Sequence, residues 1–375
     1  MSTESPSPGA TRTTARLADG REVIFFDDVP RERVVAADER PLGDRVGAGV
    51  MRLDVLTGEW VAMAGHRQNR TFLPPADECP LCPLGRGSVP GEVPARDYDV
   101  VVFENRFPSF AEVAEAAGTS AEPLFAARPA TGRCEVVCFT SDHDGHFASL
   151  PAARVRTVLR AWIDRTEALS RLGDVEYVFA FENRGPEIGV TLHHPHGQIY
   201  AYPYVPARSR SLLDRAQEHL SRTGRLLGAD ILAAERADGS RIVMSGTHWT
   251  AYAPFASRWP VEVHLVPNRD VPDLPALDAE EQAEFAVLYP ELLRRLDRYY
   301  VAVDGSAVRL PYISGWHQAP VREGRDAWRL SLQLTSVLRS PGRLKYLAGS
   351  ESGVGGWVND VAPEKVAQRL RELEP

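Results

Sequence analysis

Two histidines flank a proline at His194-Pro195-His196, and a glutamine follows at Gln198. In an extended segment residues two apart face the same way, so His194, His196 and Gln198 can address one site together. A neutral imidazole is a metal ligand or a nucleophile, according to which ring nitrogen is free. Closely spaced histidines also occur as ordinary polar surface. Here the segment follows a strand-like run and lies downstream of a paired-cysteine motif, a context that favours chemistry.

The paired cysteines are Cys79-Pro80-Leu81-Cys82, in a loop rich in Pro and Gly that runs from Pro74 to Pro94. Their spacing is that of a zinc knuckle, and a turn lets two thiolates converge on one tetrahedral ion. The remaining two ligands would come from afar, with His143 and His194 as candidates. A Cys2His2 set leaves no open position, so a zinc held this way is structural. A redox pair, or two reduced cysteines without metal, are the alternatives the spacing leaves open. Cys134 and Cys138 sit at like-facing positions of a buried strand and read as small core residues.

These groups need elements to hold them. A chain of 375 residues, 43% of them hydrophobic, can bury a core for two domains or one duplicated domain. The net charge of −8 offers no basic surface for nucleic acid. Four cysteines in this length are not a disulfide framework, and no apolar run reaches membrane-spanning length. Residues 1–16 are Ser/Thr/Pro-rich without an apolar h-region, so they read as a disordered tail on a soluble, cytoplasmic protein.

Strands are expected at Val23–Phe26, within Gly49–Met63, and at Asp99–Phe103, Cys134–Phe139 and Val175–Phe181, with another over the histidine segment. Between them, Ala152–Leu172 carries apolar residues at helical spacing, and Gly173 ends it. The order returns in the second half. A strand at Val261–Val266, a loop with Pro272 and Pro275, and a long amphipathic helix over Ala279–Tyr300 lead to Gly315-Trp316-His317. That weak echo suggests duplication. The charged segment 208–245 reads as a helical connector between the halves.

Eight motifs occur in a fixed order: HRQNR (66–70), CPLC (79–82), FENRF (103–107), SDH (141–143), FENRGPEIGVT (181–191), HPHGQ (194–198), GWHQAP (315–320) and LKYLAGSE (344–351). With them the chain resembles the galactose-1-phosphate uridylyltransferases, a branch of the histidine-triad superfamily, from Leu17 to its C-terminus. The resemblance implies a duplicated α+β fold, two histidine-triad-like halves each an antiparallel sheet with packed helices, joined into one globular subunit. The halves would span 17–207 and 246–375, on either side of the 208–245 connector.

The resemblance implies that His196 attacks the α-phosphorus of UDP-glucose, expels glucose 1-phosphate and holds UMP as a phosphoramidate. Galactose 1-phosphate would then take the uridylyl group, a ping-pong exchange. Proline between the histidines stiffens the backbone that orients the ring. Gln198 stands where histidine-triad hydrolases carry a third histidine. An amide can donate to a phosphoryl oxygen without assisting water, so the intermediate should outlast hydrolysis. Arg67, Arg70, Asn105, Arg106 and Asn183 match nucleotide-cradling positions, and Gly189, Val190 and Thr191 match the loop beside the phosphates. Lys345, Tyr346, Leu347, Ala348, Ser350 and Glu351 match the C-terminal stretch that closes over nucleotide and sugar. In the family that stretch reaches the partner's site, which implies a homodimer, and Glu351 is the candidate for reading sugar hydroxyls. One structural zinc carries over onto Cys79, Cys82, His143 and His194.

Two departures stand out. Some members hold a second metal with a glutamate, the histidine of GWH and a late His-x-His. Here His317 remains, but the late pair reads Ser331-Leu332-Gln333 and the glutamate position falls near Leu212, so no second metal is expected and His317 should pack or bond locally. A sugar-contacting glutamine is also missing, for which Asn359 is the available substitute. Alternatives remain: a nucleotide-sugar phosphorylase acting on ADP-glucose with inorganic phosphate, a nucleotidyltransferase of specialised metabolism, or a nucleotide-binding protein without catalysis. Intact His196 and Gln198 argue against the last.

Overall fold

The computed structural model describes residues 11–43, 45, 47–69, 73–117, 122 and 124–373. They form two compact units. One comprises the chain up to Leu169 together with Leu192–Ala201, and the other Ser170–Thr191 together with the chain from Tyr202 onward.

The first unit is built on an antiparallel sheet whose strands lie in the order Arg12–Arg16, Glu22–Phe26, Val100–Glu104, Arg133–Cys138 and His196–Tyr202. Val100–Glu104 and Arg133–Cys138 are buried on both faces; the first is apolar from Val100 to Phe103, and the second buries Arg133 and Glu135 as an ion pair at 3.0 Å. The helix Ala152–Ser170 buries Val155, Val158, Leu159, Trp162 and Leu169. Trp162 stacks on Phe147 at 5.9 Å and meets Phe139 edge-on at 6.0 Å. The helix is also tied down by charge: Arg165 grips Glu135 with two bonds of 2.8 and 2.9 Å. Burial alone would raise the Glu135 carboxyl, but Arg165 and Arg133 outweigh it and hold the group below its ordinary value.

Of the disordered tail expected over 1–16, residues 1–10 lie outside the described residues, and the part from Arg12 onward needs correction. Arg12–Arg16 is a strand paired with Glu22–Phe26, Ala15 opposite Val23. Arg12, Thr14 and Arg16 are exposed while Thr13 and Ala15 are half-buried, a pattern that suits an edge strand.

The second unit repeats the plan. Its antiparallel sheet runs Ile242–Ser245, Trp249–Tyr252, Val261–Pro267, Ser331–Ser336, Tyr312–His317 and Tyr177–Arg184. The helix Ala279–Leu296 starts at a capping box of Asp278 and Glu281 and buries Phe285, Tyr289, Leu292 and Leu293. Trp249 and Trp316 of the sheet pack on Phe285 at 5.4 and 5.3 Å. A strand followed by a long helix, Arg133–Cys138 then Ala152–Ser170, thus recurs as Val261–Pro267 then Ala279–Leu296. The fold is a duplicated α+β arrangement of antiparallel sheets and packed helices.

Three boundaries differ from the sequence reading. Tyr177–Arg184 pairs with Tyr312–His317, Asn183 opposite Ile313, so Ser170–Thr191 groups with the second unit although the first half was expected to run to 207. The 208–245 connector contains the helices Ala207–Thr223 and Leu227–Asp238, but it ends in the strand Ile242–Ser245, whose Val243 is buried. The helix expected to reach Tyr300 stops at Leu296, because Tyr300–Val301 pairs with Ala307–Val308.

Candidate active site and metal centre

Cys79 and Cys82 lie in a tight turn in which the Cys82 amide donates to the Cys79 carbonyl. His143 follows the strand Arg133–Cys138, and His194 stands two residues before the strand His196–Tyr202. The fold brings one donor atom from each of these four residues within 4.8 Å of the others. Cys82 Sγ is 3.3 Å from His143 Nδ1 and 3.6 Å from His194 Nδ1. A tetrahedron with arms of about 2.3 Å to sulfur and about 2.0 Å to nitrogen has sulfur–nitrogen edges of roughly 3.5 Å. The donor set therefore fits a tetrahedral ion. Burial, with Cys79 alongside, pushes the Cys82 thiol up to about 12, so its thiolate calls for a cation beside it. Burial holds the His194 imidazole neutral, its pKa lowered to about 4. Cys134 and Cys138 are buried in the sheet, as expected of core residues.

The tautomer of His194 follows from its partners. Its Nε2 is 2.8 Å from the Thr140 carbonyl, which can only accept, so Nε2 carries the proton and Nδ1 presents a lone pair toward Cys82. The next link runs through the backbone. His196 Nδ1 lies 2.8 Å from the His194 carbonyl oxygen and must donate to it. Burial lowers the His196 pKa, so the ring is neutral with Nε2 unprotonated. A nucleophile needs that arrangement.

His196 opens a strand in which alternate residues are buried. Gly197, Ile199 and Ala201 face inward, while His196, Gln198 and Tyr200 share the other, half-buried face. Arg67 joins that face from the short helix Gly65–Asn69. One guanidinium nitrogen donates to Ser109 Oγ at 2.8 Å, to Tyr200 Oη at 3.1 Å and to the Phe107 carbonyl at 3.3 Å. Asn105 follows the strand Val100–Glu104, its Oδ1 accepting from the Phe107 amide at 2.8 Å. Arg106 remains 45% exposed, with Glu92 at 3.9 Å. Thus Arg67, Asn105, His196 and Gln198 belong to one unit. Arg70 lies outside the described residues.

Asn183, Gly189, Val190 and Thr191 belong to the second unit. Arg184 anchors their segment by an ion pair to Asp297 and a 3.2 Å bond to the Leu310 carbonyl. Gly185 follows at φ +106, where an added Cβ would come within 2.8 Å of Pro311 Cβ. Only glycine suits that position.

Lys345 does not reach outward. Its ammonium donates to the Arg258 carbonyl at 2.7 Å and to the Val358 carbonyl, and lies over the Trp259 and Trp357 rings. Glu351 is 3.8 Å from that ammonium. Ser350 Oγ donates to the Gly356 carbonyl, whereas Tyr346, Leu347 and Ala348 are exposed. Asn359 is likewise committed: its amide donates to the Ser257 and Trp259 carbonyls, and its oxygen accepts from Val361. Lys345 and Asn359 are thus held by backbone carbonyls.

His317 packs edge-on to Phe179 at 5.5 Å, and burial lowers its pKa to about 3. Its Nδ1 makes no hydrogen bond. Gln333 accepts from Arg208 at 2.9 Å. Among the described residues, the Cys2His2 set is the one group of three or more His, Cys, Asp or Glu donors that converges. Sequence reasoning missed Tyr200, Ser109, Tyr98 and Thr140. For Tyr200 the signal was present, since period-two alternation from His196 places it on the reactive face. The others arrive through long-range contacts.

Two family models cover most of the chain: the N-terminal domain of galactose-1-phosphate uridyl transferase matches residues 41–206, and its C-terminal domain matches residues 212–375. A galactose-1-phosphate uridylyltransferase of Streptomyces lividans is 45% identical over 373 residues, 96% of this chain and 98% of that protein. One of Thermotoga maritima is 33% identical over 326 residues, 86% and 98% of the two chains. A solved uridylyltransferase structure superposes with a TM-score of 0.75 at 32% identity, covering 86% of this chain and 98% of that one. An ADP-glucose phosphorylase of Arabidopsis thaliana shares the fold, with a TM-score of 0.64 at 22% identity over 86% and 97% of the chains.

Proposed function

This chain belongs to the galactose-1-phosphate uridyl transferase family, and from that premise we propose that His196 Nε2 is its nucleophile. The enzyme is a uridylyltransferase that moves UMP from UDP-glucose to galactose 1-phosphate. Nε2 attacks the α-phosphorus, the bond to the β-phosphate bridging oxygen breaks, and glucose 1-phosphate leaves with that electron pair. Galactose 1-phosphate then attacks the phosphoramidate, returns the imidazole and leaves as UDP-galactose. The observation that carries this reading is the 2.8 Å bond from His196 Nδ1 to the His194 carbonyl, which leaves Nε2 as the lone-pair nitrogen.

Gln198, two residues along the same face, donates its amide to a phosphoryl oxygen and supplies no proton to a leaving group. Arg67 and Asn105 orient the nucleotide from the same unit. Arg70 and Arg106 add positive charge. Cys79, Cys82, His143 and His194 hold one zinc, which when bound fixes the turn and the His194 ring as a structural ion. Tyr346, Leu347, Val354 and Val358 expose apolar surface along one stretch, with 76%, 46%, 85% and 58% exposure. A second copy of the chain would cover it, as a homodimer in which Glu351 and its neighbours reach the partner's sugar site. No helix among the described residues is long and apolar enough to cross a membrane. The free cysteines suit a reducing cytoplasm.

A donor and acceptor panel tests the assignment. UDP-glucose alone should release glucose 1-phosphate once per site, and added galactose 1-phosphate should make release continuous. Turnover with ADP-glucose and inorganic phosphate in preference to these substrates would replace the reading with a phosphorylase.

A further inference from the structure

Tyr98 is fully buried in the core of the first unit, beside the cysteine turn. Its hydroxyl lies 2.9 Å from the Leu81 carbonyl and 2.7 Å from His194 Nε2. A phenol has one proton to give and a carbonyl can only accept, so the Tyr98 proton goes to Leu81. The Tyr98 oxygen then accepts from Nε2–H of His194, which also faces the Thr140 carbonyl at 2.8 Å. Leu81 lies between Cys79 and Cys82. One hydroxyl therefore joins the turn that presents both sulfurs to the ring that presents a nitrogen.

We infer that Tyr98 is a positioning residue, a strut that sets the distance between the Cys79–Cys82 turn and the His194 imidazole and fixes His194 with Nδ1 toward the metal. The inference rests on the proposed zinc set and nucleophile. Its reach extends to the reaction because the His194 carbonyl orients His196. With the His194 ring held at both nitrogens, its backbone carbonyl keeps one direction, and so does Nε2 of His196. Loss of a partner that orients a ligating histidine in this way typically costs about 10- to 100-fold in metal affinity. Packing alone is a separate contribution, since the ring fills the core beside Val93, Val101 and Cys138 whether or not it carries a hydroxyl.

Tyr98→Phe separates the two, because it keeps the ring and removes only the oxygen. The zinc-loaded variant should release its metal to a chromogenic chelator roughly 10 to 100 times faster than the parent. With zinc kept in excess, kcat should fall while KM for UDP-glucose stays unchanged. Release at the parent's rate overturns the inference. Should the variant not fold, nitrogen-15 histidine spectra of the unaltered protein decide the matter. A protonated Nε2 and metal-bound Nδ1 on His194 support the strut, and the opposite assignment overturns it. If the parent forms no adduct with UDP-glucose, the uridylyl reading fails, while the chelator result still judges Tyr98.

Discussion

The backbone carbonyl of His194 accepts a 2.8 Å hydrogen bond from Nδ1 of His196, so two histidines separated by one proline divide metal binding and nucleophilic attack between them. His194 turns inward, 1% exposed, with Nδ1 toward Cys82 and Nε2 toward Thr140. His196 opens the next strand on the half-buried face. A ring cannot ligate through one nitrogen, donate through the other and still attack phosphorus. The division of labour follows from that limit.

Gln198→His should convert part of the transfer into hydrolysis. An imidazole two residues from the nucleophile can donate a proton to the leaving nitrogen and assist water, which an amide cannot. With UDP-glucose as the sole substrate, steady release of UMP should rise by about 10²-fold over the parent, a typical magnitude for a positioned acid. A UMP release rate equal to the parent's would show that Gln198 does not protect the intermediate.

Cys82→Ser should remove the zinc. Cys82 Sγ faces both histidine donors, and a serine hydroxyl is a poor ligand for this ion. Metal analysis of the parent should give about one zinc per chain, and of the variant almost none, with a lower midpoint of thermal unfolding. Dialysis of the parent against a strong chelator should move its midpoint the same way. An unchanged midpoint in both cases would mean that the four donors carry no structural ion.

Glu182 predicts a pH dependence of stability. Its carboxyl is buried, accepts from Tyr312 at 2.9 Å, and is raised by burial to about 7. The unfolded chain, with an ordinary value of 4.5, loses this proton first as pH rises. Stability from the group is therefore complete below about pH 4.5, declines across the interval, and is lost above about pH 7. Glu182→Gln should flatten that decline. Urea titrations should find the variant the more stable at pH 8, by up to roughly 3 kcal/mol, and equal to the parent near pH 4. Parallel curves at both pH values would refute the assignment.

Much of the site could be read from sequence because its elements are local. The i, i+2 spacing of His194, His196 and Gln198 and the Cys79–Cys82 turn need only a few residues of backbone to take shape. His143 was accessible through the order of motifs. Tyr98 was not, because nothing in its neighbourhood announces a contact with a histidine 96 positions away. The partners of Lys345 and Asn359 are hidden for the same reason. The indoles of Trp259 and Trp357 and the carbonyls of Ser257 and Arg258 that occupy them come from distant turns. In the fold, long apolar helices were easy to place. Arg12–Arg16 and Ile242–Ser245 were hidden because a short edge strand draws its stability from its neighbour and needs little apolar sequence of its own.

The proposed exchange depends on Nε2 of His196 forming a bond to phosphorus. Intact-mass analysis after brief exposure to UDP-glucose, with peptide mapping of the product under mildly alkaline conditions, measures this directly. The expected result is a gain of one uridylyl group per chain, located on the peptide at His196, absent from His196→Ala, and removed by galactose 1-phosphate. A parent protein that turns over its substrates without any such adduct, or one that carries it on another residue, would contradict it.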